Sequence, residues 1–504
     1  MVNTSPKAAR TDAPAPTALD AWFEITKRGS TMAREMRGGL VTFFTMAYII
    51  ALNPLIIGTA ADVNGMLLSG LPKLDAAGQV IGANVSTSIA MVAAATALIA
   101  GLMTILMGVY GRFPIGLATG LGLNAVLAYV IAPKVTWPQA MGLVVWEGII
   151  ITILVLTGFR KAVFKAVPRS LRTGISVGIG LFIALIGLVD AGVVRKGTGT
   201  PVELGISGSL QGWPIAIFLI TLAILILLFV RRVKGAMLIA ILSGTVLAVI
   251  VEAVLHIGSY NQGENPTGWM LNVPAFTQFS APNLGLIGKV DLFGGFAAAG
   301  GFSAALGLVL LVFSLLLADF FDTMGTVVAV GAEGDLLDES GNPPRTQEIL
   351  LVDSVAAMAG GVGSVSSNTS YIESAAGVGE GARTGVASLV TGGAFLLSVF
   401  LAPLVNMVPS EAAAPALFFV GFLMMAQVVH VDWSDPEEGI PAFLTMVLMP
   451  FTYSITAGIG AGFISYTLIK VAVGKARQVR PLMYLVAGLF VIYFAQGAIL
   501  ALLG

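Results

Sequence analysis

Two stretches decide the fold: Phe113-Pro-Ile-Gly-Leu-Ala-Thr-Gly-Leu-Gly-Leu-Asn124 and Gly360-Gly-Val-Gly-Ser-Val-Ser-Ser-Asn-Thr-Ser-Tyr-Ile-Glu373. Each is rich in Gly or Ser, which makes a poor helix, and each leads into a short apolar piece. Interrupted segments at corresponding positions of two halves are the best sequence pointer to the central site of a membrane transporter. A second feature repeats at the same offset, about half the chain. Val167-Pro168 precedes a run carrying Ile179-Gly180-Leu181-Phe182, and Val408-Pro409 precedes one carrying Val420-Gly421-Phe422-Leu423. Two features in register argue for an internal repeat.

Working outward, apolar runs of about the length that spans a bilayer recur along the chain. They lie near 39–60, 87–109, 113–133, 136–158, 172–193, 213–230, 235–256, 297–330, 347–363, 370–380, 385–405, 412–429, 440–474 and 481–503. Numbered in that order, they predict an all-α polytopic membrane protein of about fourteen segments, with segments 3 and 10 broken. Segment 13 (440–474) contains Pro450, Gly458, Gly460 and Gly462 and is long for one span. It reads either as one crossing or as two short helices that double back.

Composition agrees. The 504 residues are 57% hydrophobic and 11% charged, against roughly 25% charged in soluble domains, so lipid must cover most of the outside. The 61 glycines suit closely packed membrane helices. A net charge of −1 gives no bulk attraction to nucleic acid, so no nucleic-acid partner is expected. With no cysteine and two histidines, His256 and His430, neither thiol chemistry nor a multi-His metal centre is expected. No phosphate-cradling loop, nucleophile elbow or zinc helix is present, which argues against an ATP-driven pump and against an enzyme.

Residues 1–38 are polar and end on Lys27, Arg28, Arg34 and Arg37, the flank of a retained helix rather than a cleavable signal. With the N-terminus inside, Arg112, then Arg160, Lys161, Lys165, Arg169 and Arg172, then Arg231, Arg232, Lys234, and then Arg383 fall in cytoplasmic loops, as the positive-inside rule asks. Lys475, Arg477 and Arg480 would lie outside if segment 13 crossed once.

Acids inside spans are functional candidates, because each costs about 3 kcal/mol near a helix centre on insertion scales. Segment 8 is mostly apolar until it reads Ala318-Asp-Phe-Phe-Asp-Thr-Met-Gly-Thr326, with apolar Val327–Val330 still following; this puts Asp319 and Asp322 on one helix face by spacing. Glu373 follows the run Ser366-Ser-Asn-Thr-Ser370, whose hydroxyls and amide suit hydrogen bonding to a heterocycle. Asn124 holds the matching place in the first half. Glu147, Asp190, Glu252 and Asp353 read more readily as structural pairs, and the acidic stretch His430–Glu438 as a solvated loop.

Four motifs carry a resemblance to a known family. Arg34-Glu-Met-Arg-Gly-Gly-Leu-Val-Thr-Phe-Phe-Thr-Met-Ala-Tyr-Ile-Ile-Ala-Leu-Asn-Pro54, Gly120-Leu-Gly-Leu-Asn-Ala125, Asp319-Phe-Phe-Asp-Thr-Met-Gly325 and Ser367-Asn-Thr-Ser-Tyr-Ile-Glu-Ser-Ala-Ala-Gly377 resemble the AzgA-like branch of the nucleobase–cation symporter-2 family, the adenine, guanine and hypoxanthine permeases. The likeness covers about residues 30–500. It implies fourteen segments as a 7+7 inverted repeat: a polar cytoplasmic N-terminus (1–38), core segments 1–4 (39–160), gate segments 5–7 (161–257), an extracytoplasmic loop (258–296), core segments 8–11 (297–405) and gate segments 12–14 (406–504).

It further implies purine import with protons at the plasma membrane, and no cofactor beyond H+ as the coupling ion. Asp322, Glu373 and Asn124 would bind the base, with Asn368 and Thr369 as competing or additional lining residues. Asp322, Glu373 and Asp319 would handle the proton. Family members are often dimeric, which leaves a homodimer open. The rival reading is a carrier or channel for an anion or other small solute with the same fold; for an anion it would be expected to place a basic residue at the pocket.

Overall fold

A computed structural model describes residues 18–158, 167–197, 199–260, 263–276, 281–338 and 342–503. Among these, ten helices are long and apolar enough to cross a membrane, and Leu121–Lys134 and Pro481–Ala495 are shorter apolar helices. Segment 1 begins earlier than its apolar run. A helix Met32–Met46 starts behind a Thr31 cap, passes through a turn at Ala47–Tyr48 whose backbone stays right-handed helical, and continues as Ile49–Ile57. Segment 8 is one helix, Phe302–Glu333. Residues Arg160, Lys161 and Lys165 lie outside the described residues.

The two broken stretches meet. Leu117–Thr119 and Asn368–Ser370 are short antiparallel strands that pair Leu117 with Ser370, Ala118 with Thr369 and Thr119 with Asn368. Gly120 N donates to Ser367 O (3.0 Å) and Tyr371 N to Gly116 O (3.0 Å), extending the ladder at both ends. Each strand then turns into a short helix, Leu121–Val126 and Ser374–Gly379. Non-helical backbone survives at membrane depth only where its polar groups are satisfied by protein, and side chains of other segments do this. Thr104 of segment 2 bonds both the N–H and the C=O of Leu117. Ser374 Oγ accepts from Gly116 N at 2.9 Å, and Ser388 Oγ accepts from Ile115 N at 3.0 Å.

The Val-Pro repeat also has a spatial meaning. Pro168 and Pro409 cap segment 5 (Arg169–Asp190) and segment 12 (Ser410–Met425). These helices pack antiparallel, Gly187 against Ala414 and Gly180 against Gly421, so that a Cβ at Gly421 would lie 2.5 Å from the Gly180 carbonyl oxygen. The glycines of the two repeated motifs are thus each other's contacts, as an inverted repeat requires.

Segment 13 doubles back. Pro436–Phe451 and Ile455–Ala472 are two helices joined at Thr452–Ser454, with Ser454 capping the second. Lys470 Nζ reaches Glu437 (2.8 Å) and Glu438 (3.2 Å), and Lys475 reaches Glu437 at 2.5 Å, so both outer ends of the hairpin lie together. This returns Lys475, Arg477 and Arg480 to the end that carries the other basic loops. There Arg28 donates to the carbonyls of Arg112 and Arg383, and Glu380 pairs with Arg37 and Lys234.

Candidate functional site

Beside the strand pair, two accessible acids lie close to each other. Glu373 is the residue immediately before the helix Ser374–Gly379 and is half-buried. The hydroxyl of Tyr48, at the turn in segment 1, donates to Glu373 Oε1 at 2.5 Å. Asp322, in mid-segment 8, is exposed. Asp322, Glu373, Tyr48 and Tyr371 lie close enough to interact electrostatically. From Asp322 an accessible stripe of Gly325, Val328, Ala329 and Ala332 runs along segment 8 toward the basic end of the molecule.

Asp319 is not among the accessible acids. The spacing predicts one face for Asp319 and Asp322, but residues three apart on a helix still diverge by about 60°, and segment 8 sits at a boundary. Asp319 turns inward and is fully buried with Asp353 and Glu147 nearby. Asp353 accepts from Ser370 Oγ (2.7 Å) and Thr323 Oγ1 (2.8 Å), Thr323 and Thr369 hydroxyls bond at 2.7 Å, and Ser367 Oγ reaches Glu147 at 3.4 Å. Neither Asp319 oxygen has hydrogen-bond geometry with a partner, although Thr369 is close. A gap of about 10 Å³ bordered by Asp319, Thr323 and Asp353 is at the limit for one water molecule.

The hydroxyl run of segment 10 is therefore mostly turned away from the cleft. Thr369 serves segment 8, and the Asn368 amide is buried with neither polar atom partnered. Asn124 is buried; its Oδ1 accepts from Thr119, and Tyr371 donates to the Thr119 carbonyl at 2.6 Å. Segment 3 is so tied to Tyr371, two residues before Glu373. At the end opposite the basic loops, segments 3, 5 and 13 close together. Tyr129 donates to Asp190 Oδ2 (3.0 Å), and the Tyr453 ring lies edge-on to those of Tyr129 (6.3 Å) and Phe182 (5.1 Å). Arg172 of segment 5 lies 5.8 Å from the Phe321 ring. Among the described residues no three or more His, Cys, Asp or Glu are grouped to hold a metal ion.

Residues 33–461 match the family model described as Permease family. The chain belongs to the permease family. It is a multi-pass membrane permease and not an enzyme. It is 36% identical over 480 residues to the adenine permease AdeP of Escherichia coli (strain K12), covering 94% of this chain and 95% of that one. It is 35% identical over 480 residues to the guanine/hypoxanthine permease PbuG of Bacillus subtilis (strain 168), covering 94% and 99%. The fold is shared with the transmembrane domain of a cyanobacterium bicarbonate transporter, BicA (TM-score 0.55, 16% identity, 85% of this chain and 96% of that chain). It is shared also with SLC26A9 (TM-score 0.57, 13% identity, 88% and 65%).

Within this permease, Asp322 and Glu373 are brought together, Asn124 is linked to them through Tyr371, and Asp319, Asn368 and Thr369 are packed behind the strands. Tyr48 and Tyr371 lie inside the motifs Arg34–Pro54 and Ser367–Gly377. Sequence reasoning passed over them because a tyrosine in an apolar run reads as a packed ring. Glu252 is structural: it accepts from Trp269 Nε1 at 2.7 Å and from Ile257 N at 3.0 Å.

Proposed function

We propose that this permease imports purine nucleobases across the plasma membrane by proton symport, with its N-terminus in the cytoplasm. The observation that carries the reading is the proximity of two accessible acids, Asp322 and Glu373, beside the crossing of the two interrupted segments. Relatives aligned over 94% of the chain are adenine and guanine/hypoxanthine permeases, and paired carboxylates are natural acceptors for the ring N–H groups of a purine. A base bound there would donate ring N–H groups to the Asp322 and Glu373 carboxylates, with Asn124 buried behind them and acting through Thr119 and Tyr371.

In the mechanism, Asp322 or Glu373 takes a proton from outside and the base then binds. Its hydrogen bonds offset the cost of holding both acids at membrane depth. Segments 1–4 and 8–11 form the core that carries the site, and segments 5–7 and 12–14 the gate against which it moves. The contacts of Tyr129, Asp190 and Tyr453 close one end while the stripe below Asp322 stays accessible, which fits a state open toward the basic, cytoplasmic side.

The test is uptake of labelled hypoxanthine into proteoliposomes, with adenine, guanine, xanthine and uracil as competitors. Purines are expected to compete and an inward proton gradient to drive accumulation. Accumulation that follows a sodium gradient and ignores pH would sink proton coupling, and indifference to every purine would sink the substrate class. Arg172 beside Phe321 is the one observation that favours an anion carrier, so bicarbonate belongs among the competitors.

A further inference from the structure

We propose that Tyr48 is a positioning residue of the base site, holding the Glu373 carboxylate by one oxygen so that the other is presented to the ligand. The inference rests on the reading of the cleft as the nucleobase site.

The geometry comes from segment 1. Its two helices are joined by a turn at Ala47–Tyr48 whose backbone stays right-handed helical, and this turn lies beside Glu373. Thr45 Oγ1 touches the Glu373 carbonyl oxygen at 3.3 Å, which fixes the backbone there. Tyr48 is 1% exposed and belongs to the main buried apolar core, leaving its ring little rotamer freedom. Its only polar atom is the hydroxyl, and that hydroxyl donates to Glu373 Oε1. A phenol gives a single O–H donor, so Oε1 is engaged from behind; the carboxylate also receives its own backbone N–H, and among the described residues no other residue donates to Oε2.

Two consequences follow. A proton arriving from the cleft goes to Oε2, because Oε1 already accepts the phenol hydrogen. A base arriving from the cleft meets a carboxyl group whose plane is set before binding, which lowers the ordering cost of recognition. The groups facing this carboxyl are Tyr48 from segment 1, Asp322 from segment 8 and Tyr371 from its own segment.

The experiment compares wild type and Tyr48→Phe in the same proteoliposomes, reading KM and maximal rate for hypoxanthine across pH. Expected is a KM raised about tenfold, the value of one hydrogen bond to a charged group, with an altered pH profile of uptake and unchanged protein amount. Unchanged KM and profile in the variant, beside an active wild type, would overturn the role of Tyr48 alone. A wild type that moves no purine would instead overturn the functional reading. If Tyr48→Phe accumulates poorly, 3,5-difluorotyrosine installed at position 48 keeps the ring and makes a stronger donor. A pH profile displaced opposite to any seen with phenylalanine, or displaced at all where phenylalanine cannot be measured, supports the role, and an unmoved profile refutes it.

Discussion

The two crossing segments are partners in backbone and opposites in chemistry. Leu117–Thr119 and Asn368–Ser370 pair residue for residue, and each hands over to a six-residue helix. Yet the first crossing carries only Thr119 and Asn124 as polar groups, whereas the second carries a continuous polar run from Ser366 to Ser370, mostly bonded behind the strands, and then Tyr371 and Glu373. Backbone symmetry is what lets two interrupted helices satisfy each other in a membrane. The side chains are under no such constraint, so one repeat is free to specialise. The scaffold is therefore twofold, and the proposed recognition is one-sided.

The comparison breaks most sharply at the acids. Asp322→Asn and Glu373→Gln keep the shape of each side chain and remove the charge and the protonation site. Uptake is expected to fall by about a hundredfold or more, as loss of a charge-assisted bond plus the proton site demands, while each protein still purifies as a monodisperse species. Asn124→Ala, in the opposite crossing, is expected to cost about tenfold in KM. Equal losses at Asn124 and Glu373, measured as hypoxanthine uptake per folded transporter, would mean that both repeats recognise the base and that the one-sided account is wrong.

How much of this was legible beforehand follows from what each signal depends on. The interruptions were readable because Gly and Ser weaken helices locally, and the repeat because Gly180 and Gly421 stand at one offset from their Val-Pro caps. The site was half readable. Asp322, Glu373 and Asn124 advertise themselves as polar groups at membrane depth. Which way Asp319 turns depends on whether segment 8 has a packed neighbour on that side, a fact of tertiary structure. The Thr369 hydroxyl is spent on Thr323, and a hydroxyl's partner is likewise not written in its neighbours. The hairpin of segment 13 had a local signal, Ser454 as a helix cap before Ala457. The misplaced Lys475, Arg477 and Arg480 were the topological clue that it doubles back.

A smaller effect separates the crossings by packing alone. A Cβ at Gly360 would lie 2.0 Å from Ser366 O and 3.0 Å from Asn368 N, both backbone atoms. A Cβ at Gly120 would meet only the ends of side chains, Thr369 Cγ2 at 3.0 Å and Leu123 Cδ1 at 3.2 Å. Overpacking against backbone displaces it, at about 1–3 kcal/mol, whereas a methyl that meets flexible side chains is relieved by small rotations. Gly360→Ala is thus expected to shift the polar strand, lower thermal stability in detergent and reduce uptake about tenfold or more, although Gly360 touches no ligand. Gly120→Ala is expected to change uptake by less than about threefold. Gly360 lies in the last turn of the helix Thr346–Val362 that packs against the polar strand, and Gly120 directly follows the other strand, so the ratio of their effects measures how much more tightly the polar strand is held. If Gly120→Ala proves as damaging as Gly360→Ala in both melting temperature and uptake, the apolar crossing is equally constrained. The freedom of one repeat to specialise must then come from its side chains and not from looser packing.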